Sequence, residues 1–155
     1  MNKAPITRPT ENDLRKILNE RILIMDGAMG TMIQQEKLAE SDFRGDLFKN
    51  HTSELKGNND LLSITRPDII KKIHRSYFDA GSDLVETNTF SATSIAMADY
   101  NMEDVVHDLN VASAKLAREA ADEVMLSNPS RQCFVAGAIG PVSYTHLTLP
   151  TMDSV

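Results

Sequence analysis

The fold of this chain is decided by the stretch Arg21-Ile22-Leu23-Ile24-Met25-Asp26-Gly27-Ala28-Met29-Gly30-Thr31. Its four apolar residues, 22–25, are too few for a buried helix, and they predict a central strand covered on both faces, as in a parallel sheet. Gly27 and Gly30 predict a sharp break after that strand, because glycine adopts backbone angles that are closed to other residues. Asp26 then stands at the carboxyl end of a strand, where α/β proteins place ligand-binding groups. A plain turn, in which Asp26 only caps the next segment, remains an open alternative from spacing alone.

Composition limits the class of protein. The chain has 155 residues, 41% of them hydrophobic, which predicts one soluble globular domain. A net charge of −6 argues against a nucleic-acid partner, and the chain has no apolar run long enough to cross a membrane. Residues 1–10 lack the apolar core of a signal peptide and are predicted to form a flexible leader on a cytoplasmic protein. The single cysteine, Cys133, excludes an internal disulfide and any multi-cysteine metal site built from this chain alone.

Helical and extended patterns alternate along the rest of the chain. Helices are predicted over residues 11–20, 31–38, 67–80, 91–100 and 105–124, and further strands over residues 83–87 and 132–139. Pro67 and Gly81 mark the start and stop of the third of these helices. The resulting β-α-β-α-β order predicts a parallel α/β arrangement with right-handed crossovers, and the pattern by itself fits either a barrel or an open sheet.

Two polar regions are left between these elements. Residues 39–59 form a polar segment that is too long for an ordinary connection, and such segments are usually functional or disordered. At its end, Gly57, Asn58 and Asn59 predict an ordered turn in preference to a direct ligand contact. His74 lies beside the apolar face of its predicted helix, so we interpret it as a packed or surface residue.

Polar side chains follow the second predicted strand at the point where it ends, as Asp26 follows the first. They are Glu86, Thr87, Asn88 and Thr89, with Phe90 next to them. Polar groups at a strand end must be satisfied by one another, by a loop or by a ligand. Their presence after two strands favours a ligand site. Cys133 begins the third predicted strand, at the end away from this site, which indicates a buried residue and not a nucleophile.

Four short motifs in this order resemble the amino-terminal homocysteine-binding region of cobalamin-dependent methionine synthases, in the homocysteine S-methyltransferase family. The motifs are residues 26–31 (Asp-Gly-Ala-Met-Gly-Thr), 55–60 (Leu-Lys-Gly-Asn-Asn-Asp), 86–90 (Glu-Thr-Asn-Thr-Phe) and 96–100 (Ala-Met-Ala-Asp-Tyr). Residues 135–141 extend the likeness, which covers residues 13–141. The resemblance implies a (β/α)₈ TIM barrel, a fold that takes about 250 residues. Residues 11–141 would then be an incomplete barrel of about three β/α units, and residues 142–155 an unmatched tail.

The resemblance also implies a reaction and its cofactors. The family transfers a methyl group to the thiolate of homocysteine and so makes methionine. It uses zinc held by three cysteines on later strands, and the full enzyme carries cobalamin and methyltetrahydrofolate modules. None of those cysteines is present here, so we expect neither zinc nor cobalamin to be bound by this chain alone. We also expect the isolated chain to lack activity.

Substrate-binding roles follow from the same resemblance. It implies that Asp26 binds the ammonium of homocysteine and that Phe90 packs on its side chain. The backbone amides near Gly27 and Ala28, with the region formed by Thr87, Asn88 and Thr89, would bind its carboxylate. No catalytic residue and no metal ligand is assigned within this chain.

A nucleotide- or phosphate-binding βαβ module, with residues 26–30 as its phosphate loop, is the alternative. The stretch lacks the Lys-Ser/Thr pair of a P-loop, and its glycine spacing differs from the dinucleotide-binding fingerprint. A nucleotide-dependent shift in melting temperature would favour this alternative.

Overall fold

A computed structural model describes residues 6–139 as a mixed helix and sheet structure. Its helices are α1 (Glu11–Glu20), α2 (Met29–Gln35), α3 (Glu40–Arg44), α4 (Leu62–Thr65), α5 (Pro67–Ala80), α6 (Ser94–Met97) and α7 (Val106–Ser127). Its strands are β1 (Leu84–Glu86) and β2 (Phe134–Ala136), and 3₁₀ turns lie at Asn59–Leu61, Ala98–Tyr100 and Glu103–Val105. The first half of the predicted leader and the predicted tail lie outside the described residues. Within residues 6–139, no helix is long and apolar enough to cross a membrane.

The sheet is parallel and has two strands, with Leu84 opposite Phe134 and Glu86 opposite Ala136. The prediction of a central strand at residues 22–25 is wrong. Only Met25 forms a bridge to Leu84, and the side chains of Ile22 and Ile24 are 88% and 60% exposed. The physical reason is that this segment lies at the edge of the sheet, beside β1 and on the side opposite β2. Within residues 6–139, no strand pairs with its outer side.

An ion pair holds this edge segment to the start of β1. Arg21 donates from both terminal nitrogens to the Asp83 carboxylate, at 2.7 and 2.6 Å, and the Ile24 N–H donates to the same carboxylate at 2.9 Å. Hydrogen bonds from Arg21, more than any other contribution, hold the pKa of Asp83 below its usual value. Charged groups therefore fix the alignment of the edge segment.

Helix α5 has the predicted start and stop. Pro67 occupies the first turn, and Gly81 ends the helix in the left-handed region, at φ 114°. Its buried face joins a first core cluster, to which α2, α3, α4, α6, α7 and the connecting segments also contribute. The members of the cluster are Ile33, Phe43, Leu55, Leu61, Leu62, Ile69, Ile70, Ile73, Ala92, Met97, Met102 and Leu109.

Helix α7 packs along α5 and supplies most of a second core cluster. Its buried residues include Ala117, Ala120, Ala121 and Val124. Small residues let the two helices approach closely. Cys133 is fully buried in this cluster, and burial raises its pKa, which confirms that it is a packed residue.

The long polar segment at residues 39–59 includes α3 near its start, and two charged side chains of that helix order the residues after it. Arg44 donates to the carbonyl oxygens of His51 and Ser53, at 2.6 and 2.8 Å. The Glu40 carboxylate accepts from the N–H groups of Leu55 and Lys56, at 2.9 and 2.7 Å. These contacts deliver Leu55 to the first core cluster and position the turn that follows it.

Candidate functional site

A cavity of about 450 Å³ opens where the edge segment, β1 and β2 end. Its walls are residues 26–30, 57–60, 86–88, 90 and 91, together with Ala96, Asp99, Tyr100 and Ala138. Six of the seven predicted site residues line it: Asp26, Gly27, Ala28, Thr87, Asn88 and Phe90. Thr89 stands behind the wall and is 5% exposed. The polar ends of two neighbouring segments therefore share one cavity.

Asp26 joins the edge segment to β1 at the cavity. Its Oδ1 accepts a hydrogen bond from the Glu86 N–H at 2.8 Å, and the residue is half-buried. Burial is the main cause that raises the pKa of Asp26. Residues 6–139 provide no hydrogen bond to its second oxygen, Oδ2, so that oxygen is available to a ligand.

The hydroxyl groups of Thr87 and Thr89 both donate hydrogen bonds to other groups of this chain. Thr89 Oγ1 donates to the Ala138 carbonyl at 2.9 Å, and Thr87 Oγ1 accepts from the Ala138 N–H at 3.0 Å. The two hydroxyls also contact each other at 2.7 Å, which uses the Thr87 proton. We call this set of contacts the threonine lock. It fixes the loop after β1 to the segment after β2.

Asn88 is held in a similar way. Its side-chain amide nitrogen donates to the Asn59 carbonyl at 2.9 Å and to Ser63 Oγ at 3.2 Å. Its backbone carbonyl oxygen accepts from the Ser113 hydroxyl at 3.1 Å. Asn58 Oδ1 accepts from the Leu61 N–H at 3.3 Å, within the same turn. The predicted ordered turn at residues 56–62 is therefore confirmed, and it is tied directly to the loop after β1.

Backbone donors remain at the other wall. Ala28 adopts the left-handed region at φ 48° and precedes α2. Within the described part of the chain, the N–H groups of Gly27 and Ala28 have no hydrogen-bond acceptor. Gly57 also has a positive φ, 99°, and a Cβ there would lie 3.8 Å from the Tyr100 hydroxyl. A contact at that distance is ordinary, so the positive φ is the reason that glycine is favoured at this position.

Asp60 is a cavity residue that the sequence analysis did not single out. It is 5% exposed, and its Oδ2 accepts from the Ser91 N–H at 2.6 Å. Burial raises the pKa of Asp60 to about 6. The sequence feature that could have indicated Asp60 as a site residue is its carboxylate directly after Gly57-Asn58-Asn59, a motif that we interpreted only as a turn.

The charge of the cavity wall is negative. Four carboxylates line it, Asp26, Asp60, Glu86 and Asp99, and its described lining contains no Lys, Arg or His. Such a wall attracts cationic groups and repels phosphates. This charge disfavours the alternative of a phosphate loop at residues 26–30.

A metal site does not emerge from residues 6–139. They contain no cluster of three or more His, Cys, Asp or Glu side chains that could hold an ion. Cys133 precedes β2, whereas the cavity lies beyond the other end of that strand, at Ala138. The described residues therefore do not fit a zinc ion bound at this cavity by three cysteines.

Comparison with known proteins shows the family. The family model for Homocysteine S-methyltransferase matches residues 23–153, which is most of the chain. Among solved structures, the chain is similar to the oxidized form of the homocysteine methyltransferase MmuM from Escherichia coli, with a TM-score of 0.67 and 25% identity. The metallated form of MmuM gives a TM-score of 0.66 at 23% identity, and the apo form 0.57 at 25%.

These matches cover 84–89% of this chain but only 41–44% of the MmuM chains. The chain thus spans less than half the length of the solved structures that it resembles. The sequence match, the fold and the position of the four motifs around one cavity agree. The chain belongs to the homocysteine S-methyltransferase family.

Proposed function

We propose that this chain forms the amino-terminal part of a homocysteine S-methyltransferase domain and that its cavity binds the amino acid end of homocysteine. The observation that carries the proposal is the cavity itself, where Asp26 and residues 86–91 meet. Homocysteine presents an ammonium, a carboxylate and a short thiol-bearing side chain. The wall offers carboxylates, free backbone N–H groups and an aromatic ring to match them.

Each predicted residue has a role in this proposal. Asp26 binds the ammonium through Oδ2, because its Oδ1 is engaged by the Glu86 N–H. The N–H groups of Gly27 and Ala28 bind the carboxylate. Phe90, whose side chain is 65% exposed, covers the side chain of the substrate.

Thr87, Asn88 and Thr89 serve this site by holding its wall. Thr89 donates to the Ala138 carbonyl and Thr87 donates to Thr89. The Asn88 side chain donates to Asn59 and Ser63. We therefore propose that these three residues orient the backbone around the substrate carboxylate. This role differs from direct donation by the hydroxyls, and it keeps all three residues in the substrate-binding region.

We propose that the described residues are about three β/α units of a TIM barrel. Parallel pairing, strand-helix alternation and a likeness limited to less than half of the MmuM chain support this assignment. The exposed outer side of residues 22–25 would then face another strand of the barrel.

Zinc, cobalamin and the methyltetrahydrofolate module belong to the proposal only through the family resemblance. Zinc would be held by cysteines on later strands, and residues 6–139 supply no equivalent cluster. The roles that we propose for these residues are in substrate binding, and none of them requires a metal held by residues 6–139. We place the protein among the methionine synthase type of methyltransferase, in the cytoplasm.

We further propose that the 155-residue chain alone does not transfer methyl groups. The support is the same lack of a metal-binding cluster in the described part of the chain, together with the uncovered edge at Ile22. An assay with zinc, homocysteine and methylcobalamin tests this. Formation of methionine above the protein-free rate would contradict it.

The substitution Asp26→Asn tests the binding role. The amide still accepts a hydrogen bond from Glu86, so the fold is kept while the charge is lost. A charged hydrogen bond contributes roughly 1.5–3 kcal/mol, so we expect homocysteine affinity to fall about 10- to 100-fold. Titration of amide chemical shifts with L-homocysteine measures the affinity of both proteins.

Asp108→Asn is the matched control, because Asp108 is exposed on α7 and the change removes the same charge far from the cavity. Its affinity for homocysteine should equal that of the unchanged chain. Equal affinity in the Asp26→Asn protein would remove Asp26 from the site. Failure of the unchanged chain to bind homocysteine at all would remove the proposed binding function.

A further inference from the structure

Asp60 has one carboxylate oxygen that no group in residues 6–139 hydrogen-bonds, although the residue as a whole is almost fully buried. The residue is 5% exposed and lines the cavity. Its Oδ2 accepts from the Ser91 N–H at 2.6 Å. Residues 6–139 supply no hydrogen-bond donor to Oδ1. Oδ1 itself is not sealed from solvent, since the fully buried side-chain atoms without a partner in residues 6–139 are both in His74. Asp60 lines the cavity, so a ligand donor that enters the cavity can supply the missing hydrogen bond.

The described lining of the cavity around Asp60 provides no positive charge. The titratable groups that share the cavity wall with it are Asp26, Glu86, Asp99 and Tyr100. All of them are neutral or negative at neutral pH. The Ser91 N–H stabilises the negative charge of Asp60 in part, and a cation that enters with the ligand would stabilise it further.

The hydrogen bond from the Ser91 N–H does not by itself explain why residue 60 carries a negative charge. In the same turn, Asn58 accepts a backbone N–H with a neutral amide oxygen. An asparagine at position 60 would accept from Ser91 equally well and would avoid burying a charge. The negative charge of Asp60 therefore has a use beyond the fold.

We propose that Asp60 is a direct contact for the cationic group of the cavity ligand, with its Oδ1 accepting a hydrogen bond from a ligand ammonium. This inference deepens the proposed function, since homocysteine carries such an ammonium. It gives the site a second acidic contact on the turn at residues 57–60, in addition to Asp26.

The position of Asp60 is fixed before the ligand arrives. The turn is tied to the loop after β1 through the Asn88 amide and the Ser91 N–H. A preorganised carboxylate loses little conformational entropy when the ligand binds. Asp60 can therefore act as a selective contact for ligands that carry a positive charge.

The inference has a pH signature. Burial raises the pKa of Asp60 to about 6, so its carboxyl is neutral below that pH and negative above it. An ammonium ligand should therefore bind more tightly as the pH rises from about 5 to about 7.5. Binding should in turn lower the pKa of Asp60, because a nearby positive charge favours the carboxylate.

The experiment is a carboxyl carbon NMR titration of the 155-residue chain, with the Asp60 signal assigned by its loss in the Asp60→Asn protein. Spectra are recorded without ligand, with L-homocysteine, with n-butylammonium, and with n-butanol as the uncharged control. We expect both ammonium compounds, but not n-butanol, to lower the pKa of Asp60 by about one unit.

The same variant is then tested for binding. Asp60→Asn should weaken n-butylammonium binding about 10-fold at about pH 7.5 and remove most of its rise with pH. Asp108→Asn should change neither. An Asp60 pKa that both ammonium compounds leave unchanged, or unchanged affinity and pH dependence in Asp60→Asn, would overturn the inference.

The two proposals fail separately. If homocysteine does not bind but n-butylammonium lowers the pKa of Asp60, the homocysteine function falls and the cation contact stands. If homocysteine binds with unchanged affinity in the Asp60→Asn protein, the cation contact falls and the homocysteine function stands. An unfolded Asp60→Asn protein does not block the test, because the Asp60 carboxyl carbon is then assigned in the unchanged chain by through-bond correlation to its own backbone.

Discussion

His74 is a fully buried imidazole on α5 that works against stability in acid. Neither ring nitrogen has a hydrogen-bond partner within residues 6–139. Burial lowers the pKa of His74 from 6.5 to about 4. The folded state therefore keeps the ring neutral where the unfolded chain takes up a proton. Stability is present above pH 6.5 and is lost as the pH falls from there toward 4.

Substitution of His74 by Leu should remove this pH dependence. The lowered pKa predicts that the unchanged chain loses about 2–3 kcal/mol of unfolding free energy at about pH 4.5 relative to pH 7.5, through this residue alone. Urea unfolding of both proteins at the two pH values measures the difference, and contributions of other groups cancel. An equal loss in both proteins would contradict this account of His74.

At the scale of elements, Gly81 sets where α5 ends and β1 begins. Its φ of 114° is strained for any residue with a Cβ, although the space beside it is open. Gly81→Ala should therefore destabilise the fold by about 1 kcal/mol, through backbone strain alone. Gly137→Ala is the matched control: its Cβ also meets nothing within 4 Å, and its φ lies outside the strained range. Equal unfolding midpoints for the two variants would refute the explanation.

The elements that the sequence predicts well are those with local signals. Pro67, Gly81 and the apolar face between them give α5 directly, and the short strand before Thr87 follows from the same logic. Residues 39–59 carry no such signal. Their order comes from Arg44 and Glu40, whose partners are carbonyl and N–H groups many residues away. Side-chain capping of distant backbone groups cannot be read from periodicity.

The residues of the candidate site also fall into two groups, those that local sequence signals predict and those that only the tertiary structure brings together. The rule that strand ends in a parallel sheet meet at one edge predicts that Asp26 and residues 86–90 lie close together. Asp26, residues 86–88 and Phe90 line one cavity, as that rule predicts. Asp60 was missed because its burial depends on Ser91 and Tyr100, which only the fold brings near the turn. The predicted burial of residues 22–25 is wrong for a related reason. An apolar run indicates that these side chains favour burial, but it does not show whether the described residues include a neighbouring element that buries them.

At the scale of the whole molecule, the edge segment is an exposed apolar surface beside a parallel sheet. Ile22, Ile24 and Met25 are 88%, 60% and 50% exposed. Unpaired, apolar sheet edges promote association between chains. The 155-residue chain should therefore gain average mass with concentration in analytical ultracentrifugation.

The substitution Ile22→Lys tests the source of that association. A charge on the edge should lower the association constant about 10-fold, while the folding stability stays within about 0.5 kcal/mol, because the residue is exposed. Leu47→Lys is the control, since Leu47 is 73% exposed and lies outside the edge. A chain that remains monomeric at all concentrations, or equal effects of the two variants, would rule out the edge as the cause.

The threonine lock has a consequence for biosynthesis. The ribosome delivers Asp26, Asp60 and Asn88 long before Ala138, yet Ala138 forms part of the cavity wall and is clasped by Thr87 and Thr89. In a growing polypeptide the cavity wall is therefore incomplete until β2 has been made and has docked. The binding that we propose for this cavity would begin only after that late step of synthesis.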